Sequence, residues 1–227
     1  MQAHKYEKSE WIHRVGHGVW QRHGDTPTWL GAVYGLQQGT DVPRLWPGGS
    51  TALDLLGFSH YLPVGRERVT LFGSPGHQLP KWFADRDWGA SVSFHAPSLF
   101  GALDMKSLQL HQPAREAFEV WVSTPERALF ELLHSTPDEL LFEAPAETFA
   151  GMASLSPRKV QALLEACRSV KLKRVFLLLA RHCNHAWYRR LDLGQVDLGK
   201  GKRQLYPGGR LDKQFQITVP ERFIDEP

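Results

Sequence analysis

Phe118-Glu119-Val120-Trp121-Val122-Ser123-Thr124-Pro125-Glu126-Arg127-Ala128-Leu129-Phe130 decides the fold class, because a strand pattern gives way to a capped helix within it. Residues 118–122 read as a short strand. Ser123 and Thr124 then offer hydroxyl caps, Pro125 fills the first helical position, and Glu126 puts an acid in the first turn. Ala128, Leu129, Phe130, Leu132 and Leu133 follow as the apolar face of the helix.

Toward the C-terminus the pattern is mostly helical. Ser156-Pro157 starts a helix with Val160, Leu163, Leu164 and Cys167 on one stripe, which makes Cys167 a buried small hydrophobe. A further helix is predicted over 171–183, and residues 215–219 read as a closing strand. Toward the N-terminus, strands are predicted over 91–94 and on either side of Pro63-Val64-Gly65-Arg66. A helix is predicted over 50–57 with a hydroxyl cap and a glycine end, and Leu45-Trp46-Pro47-Gly48-Gly49 reads as a turn. Thr26-Pro27 opens another helix, with Leu30, Val33, Tyr34 and Gln37 on one face and Gly39 as its stop. Ile12, Val15 and Val19 flank Gly16-His17-Gly18, the signature of a tight hairpin. Strands and helices are interspersed, so the expected class is α/β, with α+β as the alternative.

The chain has 227 residues, of which 42% are hydrophobic and 22% charged, enough apolar material for a sizeable core. Its longest uninterrupted apolar run is Val175 to Ala180, far short of the ~20 residues that cross a bilayer. The N-terminus lacks a signal-peptide pattern. Cys167 and Cys183 alone make no disulfide framework, and a cytoplasmic setting is expected. Residues 116–149 hold eight acids against one arginine, and residues 171–213 hold eleven Lys/Arg against three aspartates. This split fits nucleic-acid contact, and it fits equally well two segments that attract one another within one fold.

Gly194-Gln195-Val196-Asp197-Leu198-Gly199-Lys200-Gly201 falls one residue short of a phosphate-binding P-loop, because Gly201 replaces the magnesium-binding hydroxyl. His182-Cys183-Asn184-His185 gathers possible metal ligands without the second pair that zinc needs, so neither metal nor cofactor is expected. No nucleophile motif is present. Lys171, Arg174 and Arg181 share one helical face. With Lys173, Arg189, Arg190, Lys200, Lys202 and Arg203 they could make a positive surface for a polyanion, or their stems could cover apolar surface.

Several long motifs, in order, resemble the AbiEi family, the antitoxins of bacterial type IV toxin–antitoxin systems. They include Trp29-Leu30-Gly31-Ala32-Val33-Tyr34-Gly35-Leu36-Gln37, Thr51-Ala52-Leu53-Asp54-Leu55-Leu56-Gly57-Phe58, Leu79-Pro80-Lys81-Trp82-Phe83 and Ser123-Thr124-Pro125-Glu126-Arg127-Ala128. Lys173-Arg174-Val175-Phe176 through His185-Ala186-Trp187, Asp197-Leu198-Gly199-Lys200-Gly201-Lys202-Arg203 and Phe215-Gln216-Ile217-Thr218-Val219-Pro220 complete the match. The resemblance implies a winged helix-turn-helix that binds promoter DNA, followed by a mixed α/β antitoxin domain. It also implies repression of the protein's own operon, and opposition to a nucleotidyltransferase-like toxin without stable contact. Residues 1–24 then correspond to a remnant of the winged helix-turn-helix, and residues 25–227 to the antitoxin domain. Most of the DNA-reading helices have no counterpart after Met1, so DNA binding is expected to be weak or absent. Arg14, His17 and Arg22 are the wing residues expected to touch DNA. Lys171, Lys173, Arg174, Arg181, His185, Lys200, Lys202 and Arg203 are the expected anion-binding and antitoxin residues. No enzymatic activity is expected, and the alternative is a nucleotide-handling enzyme that uses the loop 199–203.

Overall fold

The computed structural model describes residues 6, 9–16, 19–38, 42–58, 65–101, 105–114 and 116–224. The first strands among the described residues form a hairpin, β1 (Ile12–Gly16) antiparallel to β2 (Val19–Arg22). Gly16 lies against Trp82, and a Cβ there would come within 2.2 Å of the indole Cδ1. Only glycine allows the hairpin to sit this close. Helix α1 (Trp29–Gln37) follows, capped by Thr28, whose hydroxyl accepts from Gly31 N at 3.0 Å. The cap is therefore Thr28, two residues later than Thr26.

Strand β3 (Leu45–Pro47) occupies the stretch expected to be a turn. It pairs antiparallel with β4 (Glu67–Gly73), which pairs in parallel with β5 (Ala90–His95). Burial decides the matter: Leu45 and Trp46 are each 1% exposed, and the turn falls instead at Gly48, where helix α2 (Gly49–Leu55) begins. Gly48 supplies no side-chain cap to α2. The Thr51 hydroxyl accepts from Thr70 N in β4, tying helix to sheet. The strand expected before Pro63 falls mainly on residues 59–64, outside the described residues. The short helix α3 (Lys81–Ala84) carries Trp82, and β6 (Leu108–His111) pairs antiparallel with β7 (Val120–Ser123).

The expected strand-to-helix passage is present: β7 runs into α4 (Pro125–Ser135), with Pro125 in the first turn. Thr124 holds the N-cap position without a capping hydrogen bond from its side chain. Helices α5 (Ala144–Gly151), α6 (Pro157–Ala166) and α7 (Val170–His182) pack with α4 around Phe130, Phe149 and Phe176. Phe130 and Phe176 stack at 4.2 Å between ring centroids. Ser156 and Ser169 cap α6 and α7 through their hydroxyls, and Cys167 is buried as expected. Beside α7 lies a small sheet with strand order β8 (Arg203–Gln204), β10 (Ile217–Val219), β9 (Arg210–Asp212). The architecture is α/β, built from small mixed sheets and a helical core.

A second apolar cluster joins α1 to β4, β5 and β7 through Val33, Val69, Leu71, Ala90, Val120 and Val122. The helical core and this cluster meet at a buried polar knot. Glu131 on α4 is 0% exposed. Its Oε1 accepts from Trp46 Nε1 at 3.0 Å and from Arg127 Nε at 2.7 Å. Its Oε2 accepts from Gly49 N at 3.1 Å and from Ser123 Oγ at 2.6 Å. Arg127 also donates to Ser107 Oγ at 2.7 Å and lies over the Trp46 ring. One carboxylate thus fastens β3, α2, β7 and α4 together.

Removing one member of a buried ion pair costs about 3–5 kcal/mol, because its partner stays buried and uncompensated. Glu131→Ala is expected to lower stability by about that amount in urea unfolding. Replacing the pair together, Arg127→Met with Glu131→Leu, should recover only part of the loss, because Trp46 Nε1, Gly49 N and Ser123 Oγ still lack an acceptor.

Candidate functional site

Helix α7 is the centre of the expected basic surface, and its residues 172–180 are all buried. Its cations therefore have separate fates. Lys171, at the start, pairs with Asp138 at 2.6 Å, so one contact does join the acidic and basic segments. Lys173 is 4% exposed and Arg174 is 2% exposed. Arg181, near the end, pairs with Asp212 of β9 and donates to Gln214 Oε1 at 2.7 Å. Arg174 and Arg181 do share a face, but that face meets the C-terminal sheet and its loops. Arg174 and Lys173 are thus corrected from anion-facing residues to interior ones.

Arg174 does structural work. Its guanidinium donates to the carbonyls of Leu198 at 2.8 Å, Gly201 at 2.7 Å, Gln216 at 3.2 Å and Gly199 at 3.3 Å. Burial, and then the neighbouring Arg203, pull its pKa below the usual arginine value. Arginine nevertheless remains charged, and the carbonyl dipoles take the place of water. Gly199 and Gly201 adopt left-handed backbone angles, φ 61° and 81°, and Asp197 Oδ1 accepts from Gly199 N at 2.8 Å. A phosphate loop turns its N–H groups toward the ligand. Here three carbonyls of the loop converge on an arginine, so the turn is an anchor for Arg174.

This anchoring leaves Lys200, Lys202 and Arg203 exposed together on one loop. Arg203 starts β8, and its N–H donates to Gln216 O at 2.9 Å. His185 belongs elsewhere. Its ring Nε2 lies 2.7 Å from Phe149 O and its ring stacks on Trp187, whose Nε1 donates to Met152 O at 2.8 Å. The pair clasps the end of α5, and no metal-binding group of His, Cys, Asp or Glu forms among the described residues. On the hairpin, Arg14 and Arg22 are exposed, and Arg14 Nε donates to Gly16 O at 3.1 Å. His17 lies outside the described residues. The Glu131 knot escaped sequence reading, although the four-residue spacing of Arg127 and Glu131 in a helix was its signal.

The family comparisons define a transcriptional regulator that serves as an antitoxin. Residues 66–220 match the family model described as a transcriptional regulator, AbiEi antitoxin, of a type IV toxin–antitoxin system. Residues 1–64 match the model of the AbiEi antitoxin N-terminal domain. The chain belongs to the AbiEi antitoxin family. The crystal structure of the Rv2827c protein from Mycobacterium tuberculosis shares the fold, with TM-score 0.61 at 15% identity over 95% of this chain and 78% of that one. A search of curated proteins finds no match. No helix among the described residues is long and apolar enough to cross a membrane.

Arg174→Met keeps the apolar stem and leaves four carbonyls without their charged donor. Hydrogen bonds to charged groups contribute about 1.5–3 kcal/mol each, so a loss of at least about 3 kcal/mol is expected in urea unfolding. Faster hydrogen exchange at the Arg203 amide should accompany it. Arg174→Lys should not restore either quantity, because an ammonium lacks the planar fork.

Proposed function

We propose that the protein is a non-enzymatic antitoxin and autorepressor whose protective surface is the loop carrying Lys200, Lys202 and Arg203. The observation that carries this reading is the division of labour in that loop. Its backbone is fixed from behind by Arg174, while three cations face solvent from a short stretch. A rigid presentation of positive charge suits a polyanion or a phosphate-bearing partner, since little ordering remains to be done on binding. The functional counterpart is a nucleotidyltransferase-like toxin, opposed in the cytoplasm without stable contact. Replacing Lys200, Lys202 and Arg203 together by Ala should abolish protection against the cognate toxin in a co-expression growth assay, with the circular dichroism spectrum unchanged. Full protection by the triple variant would refute the assignment.

The division of the chain at residue 24 belongs to the same proposal, with the hairpin as the wing of a DNA-binding head. In this reading Arg14 and Arg22, both exposed on the hairpin, meet phosphates of the protein's own promoter. Phosphate contacts position a protein without reading sequence, so binding through the hairpin is weak and depends on salt. Each phosphate neutralised contributes a slope of about 0.9 in log K against log salt. Arg14→Ala with Arg22→Ala should therefore reduce that slope by about two in gel-shift titrations with DNA from upstream of the operon. An unchanged slope would remove the hairpin from the interface.

A further inference from the structure

A cavity of about 440 Å³ lies between α6 and the segment leading into β6, remote in sequence from the basic loop. Its wall combines Lys106, Arg158 and Lys159 with the hydroxyl-bearing Ser156 and Thr124, and with Phe100 and Leu163 as an apolar side. The side chains of Arg158 and Lys159 form no ion pair or hydrogen bond among the described residues, and both are exposed at the cavity. Thr124 is 1% exposed, and its hydroxyl oxygen has no hydrogen-bond partner. An orphan hydroxyl this deep is uncommon in a native interior and marks a place where a partner is missing.

The local helix geometry adds to this. Helix α6 starts at Pro157, which has no N–H, and Ser156 Oγ lies 3.5 Å from Lys159 N, a long cap bond. The amides of the first turn are therefore loosely satisfied, and the positive end of the helix is directed to the same region as the two unpaired cations. Glu126 opposes this charge from behind, where its Oε1 accepts from Ser156 N at 2.9 Å. Arg158 and Lys159, both without a partner, outweigh that single carboxylate and leave the cavity positive. Its volume falls within the range of about 300–1,000 Å³ typical of small-molecule sites.

We propose that this cavity binds a small phosphomonoester with an aromatic or apolar body. The phosphate meets Arg158, Lys159 and the first turn of α6, in front of the buried Thr124 hydroxyl. The body lies on Phe100 and Leu163. A dianion suits this set better than a neutral ligand, because it gives two unpaired cations a partner. The apolar wall excludes inorganic phosphate as the preferred occupant.

Calorimetric titration of the full chain with phenyl phosphate, inorganic phosphate and phenol tests this. Phenyl phosphate is expected to bind at least about tenfold more tightly than either fragment alone. Arg158→Ala with Lys159→Ala should weaken it about tenfold or more, and both sites are exposed, so the fold should survive the change. Ala162→Phe, which fills the cavity without altering charge, should also remove binding. Lys200→Ala with Lys202→Ala should leave it unchanged. Absence of phenyl phosphate binding, equal affinity for inorganic phosphate, or indifference to the Arg158 and Lys159 changes would each overturn the proposal. Loss of toxin protection in the loop variant bears on the other site, so the two readings fail independently.

Discussion

A charged carboxylate with no exposure holds this fold in register. A buried charge is tolerable only when its oxygens are fully occupied, and Glu131 reaches that condition by drawing donors from β3, α2, β7 and its own helix. Each donor comes from an element that ends or begins at the knot. Trp46 is in a three-residue strand, Gly49 opens a helix, and Ser123 closes a strand. Short elements have little intrinsic stability, so their positions depend on this shared acceptor. Gly48 shows how close the approach is, because a Cβ there would lie 2.3 Å from Glu131 Oε2 and 2.6 Å from Phe72 Cδ2.

Arg174 repeats the logic with the opposite sign. Here the buried charge is a cation and its partners are carbonyls from a loop and from the residue before β10. The loop has almost no apolar content of its own, and Lys200, Lys202 and Arg203 repel one another. Without an interior donor it would have no reason to adopt one conformation. The cation that draws it in also prevents α7 from serving as a charged surface. Positive charge in this part of the chain is divided between an interior share, which fixes the scaffold, and an exposed share that includes the loop.

What was legible in the sequence follows the range of the interactions. Hydroxyl caps, first-turn prolines and apolar stripes act within a few residues, and α4, α6 and α7 were readable from them. The hairpin was readable from its flanking hydrophobes and glycines. Strand β3 was not, because Pro47-Gly48-Gly49 carries a strong turn signal and the sheet that overrides it comes from residues more than twenty positions away. Thr26-Pro27 carries the local pattern of a helix start, yet the cap is Thr28, two residues further on. Gln37 was placed on the buried face of α1, yet its task was invisible: its side chain donates to Leu45 O and Trp121 O and accepts from Trp121 N, bridging strands of two sheets.

The basic surface shows the same limit in its functional form. Spacing placed Arg174 and Arg181 on one side of a helix, correctly, but spacing does not say what that side meets. Composition likewise counted eleven cations between residues 171 and 213 without weighing their surroundings. An arginine that leads directly into a continuous apolar run on a buried helix is drawn inward with it, so the run from Val175 to Ala180 was the available clue. Lysines flanked by glycines in a loop have the opposite fate. The distinction between an interior and a solvent-facing cation therefore rests on the apolar content of the neighbouring residues, and by that measure the charges of the loop at 200–203 and of the first turn of α6 are among those left facing solvent.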